Sequence, residues 1–325
     1  MTQRPELPGV THRFLQVGAL RMHIAEAGQG PLVILLHGFP ESWYSWRHQL
    51  AALAAAGFHV VAPDQRGYCE TGPPQLPDRQ AEIGDYTMLH LTGDVFALMD
   101  ALGEDEAVVA GHDWGAPVAW HAALFRPDRI RGVVGLSVPY RPRGSAPPIA
   151  TLRSTLGESF YMVYFQEPGV ADAELARDPA ATFRNVLFSI SGDSPGMTLI
   201  PRGGGFLDAG SEPAELPRWL TEADIDAYVA QYADSGFTGP LNWYRNMDRN
   251  WELTGAWHHA PVLVPALFLA GDRDPVIGFV RPDGLTETVP RLTESIILPG
   301  CGHWTQQERP TEVTEAMIGF LRGLG

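Results

Sequence analysis

No ten residues constrain this chain more than Ala107-Val108-Val109-Ala110-Gly111-His112-Asp113-Trp114-Gly115-Ala116. A short apolar run of strand character ends in a turn, and Pro117–Phe125 continues with helical spacing. Gly111 and Gly115 bracket Asp113 at the spacing of the Gly-x-Ser-x-Gly turn, with aspartate in the serine position. Small residues are needed there because the turn is strained and its flanks are too close-packed for side chains. Such a turn pushes Asp113 out above a sheet, at the amino end of a helix, where backbone N–H groups favour negative charge. Read alone, Asp113 is either a nucleophile or a helix cap.

The surrounding pattern supplies the sheet. Phe14–Val17 and Leu20–Glu26 flank Gly18-Ala19 as a hairpin. Leu32–Leu36, Phe58–Ala62, Ala107–Ala110 and Ile130–Leu136 read as buried strands. Trp46–Ala56 and Leu89–Leu102 read as helices that stop at Gly57 and Gly103. This alternation predicts a parallel α/β sheet with right-handed crossovers. After Val138 the chain turns rich in Gly, Pro and aromatics, with helical periodicity at Phe160–Phe165, Ala180–Phe188 and Glu222–Tyr232. Strand character resumes at Val262–Ala270 and Ser295–Leu298, and a last helix runs from Pro310 to Leu321. The expected organisation is an α/β core of residues 1–138 and 262–325, with residues 139–261 inserted as a helical cap over the strands' carboxyl ends.

Composition narrows the function. A length of 325 residues suits about two units, or one large α/β domain with an insertion. Lys+Arg 23 against Asp+Glu 38 gives a net charge of −15, which repels phosphate backbones and anionic lipid, so no nucleic acid or membrane partner is expected. Cys69 and Cys301 are too few for a disulfide framework or a cysteine-rich zinc site, which suits a reducing cytoplasm. Met1–Glu6 has no apolar leader, and no apolar run approaches the roughly 18 residues of a membrane span. His258-His259 point apart on most backbones, so no metal site is expected there. Gly203-Gly204-Gly205 follows no strand and has no phosphate-binding lysine. No cofactor is expected.

An aspartate in the turn selects the chemistry. A serine alkylated by an sp3 carbon makes an ether that water does not readily cleave. A carboxylate makes an ester, which water opens at the carbonyl. The implied substrate is an epoxide or an alkyl halide. His303, in Gly300-Cys301-Gly302-His303-Trp304, and Asp274, in Gly271-Asp272-Arg273-Asp274-Pro275, each follow a strand. The order Asp113, Asp274, His303 is nucleophile, acid, histidine. His303 would deprotonate water and Asp274 would fix its tautomer, with Asp272 as the alternative acid two residues away. The turn His37-Gly38-Phe39-Pro40-Glu41 would aim the Phe39 N–H at the elbow, to pair with the Trp114 N–H as an oxyanion hole. Trp114, Trp243 and Trp304 stand next to these residues and are expected to wall an apolar pocket.

Together these residues resemble the α/β-hydrolase superfamily and, within it, the soluble epoxide hydrolases, from about Phe14 to Leu321. The most specific stretches are His37–Glu41, Gly111–Gly115, Tyr164–Val170, Gly239–Asn246 and Cys301–Trp304. The two middle ones resemble the hydrolase domain of the mammalian soluble enzyme. The resemblance implies a cis peptide at Phe39-Pro40 and two cap tyrosines acting on the epoxide oxygen, matched by Tyr161 and Tyr244. A phenol is chemically suited to hydrogen-bond that oxygen and supply its proton. Tyr164, one helical turn from Tyr161, is the alternative. The chain departs from the family at Cys69, where glycine is usual, which puts the loop geometry there in doubt. Cys301 is read as a buried loop cysteine or a reactive thiol.

The expectation is conversion of a small apolar epoxide and water to a vicinal diol by a monomer or homodimer. The rival is a haloalkane or haloacid dehalogenase using the same aspartate. The fluoroacetate-type dehalogenases carry an arginine after the nucleophile, and Trp114 stands there instead. A non-catalytic receptor for an apolar ligand is the third reading.

Overall fold

A computed structural model describes residues 4–76, 80–280 and 282–324. Residues 1–3, part of the N-terminal stretch read above for a leader, lie outside them. Among the described residues eight strands form one sheet: β1 (Thr11–Val17), β2 (Leu20–Ala27), β3 (Leu32–Leu36), β4 (His59–Pro63), β5 (Ala107–His112), β6 (Ile130–Leu136), β7 (Ala266–Gly271) and β8 (Leu292–Leu298). Their spatial order is β1-β2-β4-β3-β5-β6-β7-β8. The hairpin β1–β2 joins antiparallel to β4, and every later pairing is parallel. The fully buried runs of β3 and β5 occupy the centre, as continuous apolar strands covered on both faces must.

Helices Arg47–Ala55, Met88–Leu102, Gly115–Phe125 and Pro310–Gly323 flank the sheet. The second stops where Gly103 takes φ 78°, a left-handed cap that glycine adopts without steric cost. Between β6 and β7 the chain folds into further helices, the longest being Pro148–Leu156, Val170–Arg177, Pro179–Ser189, Glu222–Tyr232 and Thr238–Arg245. The helical periodicity read in the sequence covers two of these five, Pro179–Ser189 and Glu222–Tyr232. Asp178 and Thr221 cap two of them, each side chain accepting the N–H three residues on.

One sequence expectation needs correction. The strand read over Val262–Ala270 pairs only from Ala266. Pro265 has no N–H for the ladder, although its carbonyl accepts from Val133, so Val262 and Val264 pack as buried loop residues instead.

Candidate active site

The elbow between β5 and the Gly115–Phe125 helix is built on absent side chains. A Cβ on Gly111 would lie 2.0 Å from the Gly115 carbonyl oxygen, and one on Gly115 would lie 2.2 Å from that of Leu36. Asp113 itself takes φ 48°, a conformation that non-glycine residues seldom adopt. Its side chain is 16% exposed and lines a cavity.

Three loops from strand ends converge on it. The Phe39 N–H donates to Asp113 Oδ1 at 2.7 Å, and the Phe39-Pro40 peptide is cis. His303 Nε2 stands 3.4 Å from Asp113 Oδ2. The other ring nitrogen of His303 lies 3.1 Å from both carboxylate oxygens of Asp274. Asp274 Oδ1 also accepts the Val276 N–H at 2.9 Å, which orients it toward the ring. Asp272 turns away and accepts the N–H of Gly300. Trp114 follows Asp113 directly and enters the helix.

Burial works against charge on Asp113, but the hydrogen bond and charge of His303, helped by the Phe39 N–H, hold its carboxyl below the usual range. Burial likewise opposes charge on His303, and the Asp274 and Asp113 carboxylates outweigh it, so the imidazole sits well above the ordinary histidine value.

Two chambers meet over Asp113. One of about 270 Å³ is walled by apolar groups such as Phe165, Ile190, Met197 and Phe206. The other, of about 220 Å³, includes Trp114, His121 and Arg141. Asp113, Tyr161, Tyr244, Val276 and Phe279 line both. The rings of Tyr161 and Tyr244 lie 6.1 Å apart, and Tyr244 packs edge-on against Phe39 and Trp114. Burial first, and then the Asp113 charge, push both phenols well above the ordinary tyrosine value, which keeps them protonated. Tyr164 donates to Glu174 at 2.8 Å and lines neither chamber.

One sequence expectation fails here in part: Trp114 lines the second chamber, but the other two tryptophans do not line either. The indoles of Trp243 and Trp304 are buried and donate to the carbonyls of Arg66 and Leu187. Cys69 does take a left-handed φ of 47°, so the loop keeps the glycine-like geometry with a cysteine in it. Both cysteines are buried, and burial pushes both thiols up, away from reactivity.

Several supporting residues escape sequence reasoning. Glu41, fully buried, accepts from Gly38 N–H (3.0 Å) and from the amides of Gln306 and Gln307 (2.9 Å each), and pairs with His112 Nδ1 at 2.7 Å. The other nitrogen of His112 and the Ser137 hydroxyl both meet the His303 carbonyl at 2.7 Å. Their common signal was adjacency to motif residues, which says nothing about where a side chain turns. Away from the site, His23, Asp64 and Glu70 present potential ligand atoms within 4.8 Å of one another, but Arg4 already pairs with Glu70.

The eight-stranded sheet with an aspartate elbow and a strand-end histidine defines an α/β hydrolase. Residues 31–178 match the family model for the alpha/beta hydrolase fold. Epoxide hydrolase A of Mycobacterium tuberculosis is 47% identical over 97% of this chain and 98% of its own length. The bifunctional epoxide hydrolase 2 of Mus musculus is 39% identical over 99% of this chain and 58% of its own. Among solved structures, an epoxide hydrolase from an endophytic Streptomyces superposes with a TM-score of 0.92 at 44% identity, covering 98% of this chain and 96% of that one. Epoxide hydrolase A of Mycobacterium thermoresistibile gives 0.89 at 48%, covering 97% and 98%. The chain belongs to the epoxide hydrolase family.

Proposed function

We propose that the chain hydrolyses small apolar epoxides to vicinal diols through a covalent ester on Asp113, without metal or cofactor. The observation that carries this reading is the meeting of Asp113, the His303–Asp274 pair and two phenols on one cavity. Asp113 Oδ1 is held by the Phe39 N–H, which leaves Oδ2 as the attacking oxygen. It forms a bond to one epoxide carbon as the C–O bond of the ring breaks. Tyr161 and Tyr244 hydrogen-bond the departing oxygen, and one gives it a proton. The product of this step is a hydroxyalkyl ester with its carbonyl oxygen, Oδ1, at the Phe39 N–H.

His303 then takes a proton from water, whose oxygen attacks the ester carbon. Charge develops on Oδ1, where the N–H groups of Phe39 and Trp114 serve as the oxyanion hole. Collapse breaks the bond between that carbon and Oδ2, and His303 returns its proton to the leaving alkoxide. The second proton of the water restores the tyrosine, and the diol departs carrying the original Oδ2.

We assign residues 139–261 to a cap that carries the phenols, and residues 1–138 and 262–325 to the core that carries the triad. Two free cysteines are consistent with a cytoplasmic enzyme, acting as a monomer or homodimer. Among the described residues no helix is long and apolar enough to cross a membrane.

The deciding experiment offers aryl and alkyl epoxides beside haloalkanes and follows diol and halide from the same enzyme. Diol without halide is expected; halide without diol would transfer the chain to the dehalogenases. Asp113→Ala abolishes turnover on this reading. His303→Gln stalls at the ester, seen as an intact-mass increase equal to the epoxide.

A further inference from the structure

The carboxylate of Glu308, at the end of the short helix Thr305–Glu308, takes no part in the chemistry above, yet it is 6% exposed and fully engaged. Its Oε2 accepts the backbone N–H of Gly302 at 2.8 Å and that of Gly192 at 2.9 Å, and its Oε1 accepts that of Trp304 at 3.1 Å. Gly302 and Trp304 are the two neighbours of His303. Gly192 lies just beyond the Pro179–Ser189 helix, in the inserted segment, two residues from Ile190 of the first chamber's wall. One side chain therefore grips both flanks of the base's loop and the segment that walls the substrate cavity.

The seam around it is close-fitting. The His303 N–H donates to the Ile190 carbonyl at 2.9 Å, and Arg273 donates to that of Gly192 at 2.8 Å. A Cβ on Gly302 would lie 2.2 Å from the Gly192 nitrogen. Asp274 orients the imidazole, and Ser137 and His112 hold the His303 carbonyl. The N–H groups on either side of His303 are held by Glu308.

We propose that Glu308 is a positioning residue for ester hydrolysis, locking the His303 loop to the cavity wall so that the base stands correctly over the Asp113 carbon. The proposal rests on the roles given above to Asp113 and His303. Ester formation needs Asp113, Phe39 and the two tyrosines, none of which touches Glu308. Hydrolysis needs a water fitted between His303 and the ester carbon, and a displacement of about 1 Å in such an arrangement costs about a hundredfold in rate.

The test separates the two half-reactions of Glu308→Gln, which keeps the volume but turns one acceptor oxygen into an amide N–H₂ facing a backbone N–H. Single-turnover tryptophan fluorescence with an aryl epoxide, backed by intact mass of quenched enzyme, reads ester formation and decay. Formation at the wild-type rate with decay slowed roughly ten- to a hundredfold is expected, with Glu308→Asp restoring part of the loss. Equal slowing of both phases, or no slowing of decay, overturns the proposal. If Glu308→Gln does not fold, Glu308→Asp is judged by the same split. A wild-type chain that forms no ester overturns the reaction assignment, whereas a wild-type ester with an unselective variant overturns the Glu308 role alone.

Discussion

The two oxygens of Asp113 are not equivalent, and neither are the two proton-holding states of His303. The charge on Asp113 helps to hold His303 protonated in the resting enzyme. In the proposed mechanism that charge is gone once Asp113 is an ester, so the imidazole gives up its proton more readily and becomes a base. The two half-reactions are therefore expected to lose rate in different acid ranges. Hydrolysis fades as pH falls through the histidine value of the ester. Alkylation persists further, until Asp113 takes a proton below the usual carboxylate range. Rapid-mixing measurements across pH would show ester accumulating at mildly acid pH; parallel loss of both phases would contradict it. The phenols give a second residue-scale expectation. Tyr161→Phe and Tyr244→Phe each slow alkylation by roughly a hundredfold or more, while Tyr164→Phe, whose hydroxyl is occupied by Glu174, leaves it unchanged. A sequence cannot choose between Tyr161 and Tyr164 by spacing. The helix that holds them is only Tyr161–Tyr164, and its orientation is set by what packs around it.

Elements were legible where one physical rule governs them. β3 and β5 are buried on both faces, and their unbroken apolar runs announce it. The glycines of the elbow are legible for the same reason, since contact at 2.0–2.2 Å leaves no alternative residue. Gly115→Ala should cost about 3 kcal/mol or more, because the Cβ meets backbone oxygen that cannot rotate aside; urea denaturation measures it. A loss below about 1 kcal/mol would mean that the helix can shift outward. The inserted helices were less legible because they are short and several bury little: Pro148–Leu156 buries Ile149, and Val170–Arg177 buries Ala171 and Leu175. Thr238–Arg245 buries Gly239 through Tyr244 in succession, but its eight residues span about two turns, too few for its spacing to stand out in the sequence.

At the scale of the molecule, the inserted helices and the core are joined by buried polar bonds as well as by packing. Tyr232 donates to the Glu41 carbonyl, Tyr44 to Asp224, Trp243 to Arg66 and Trp304 to Leu187. All four pairs are more than 100 residues apart in sequence, which is why no local pattern disclosed them. Separating the two parts would leave each of these groups without its partner, at a cost of about 1–3 kcal/mol apiece if they stay buried. The chain is therefore expected to unfold in one transition, with near- and far-ultraviolet circular dichroism coinciding along a denaturant series. Two resolved steps would show that the insertion unfolds separately.

The paired chambers over Asp113 also bear on handedness. Their walls differ in residues, with Phe165, Ile190 and Met197 on one side only and His121 and Arg141 on the other only, so an unsymmetrical epoxide is expected to be sorted by its substituents before the carboxylate reaches a ring carbon. A meso epoxide has no enantiomers to select between. The enantiomeric excess of the diol it yields therefore reports which ring carbon the cavity presents to Asp113, freed from selection between substrate enantiomers. Comparing that excess with the excess from an aryl-substituted epoxide would divide stereocontrol between the choice of ring carbon and the choice of substrate enantiomer.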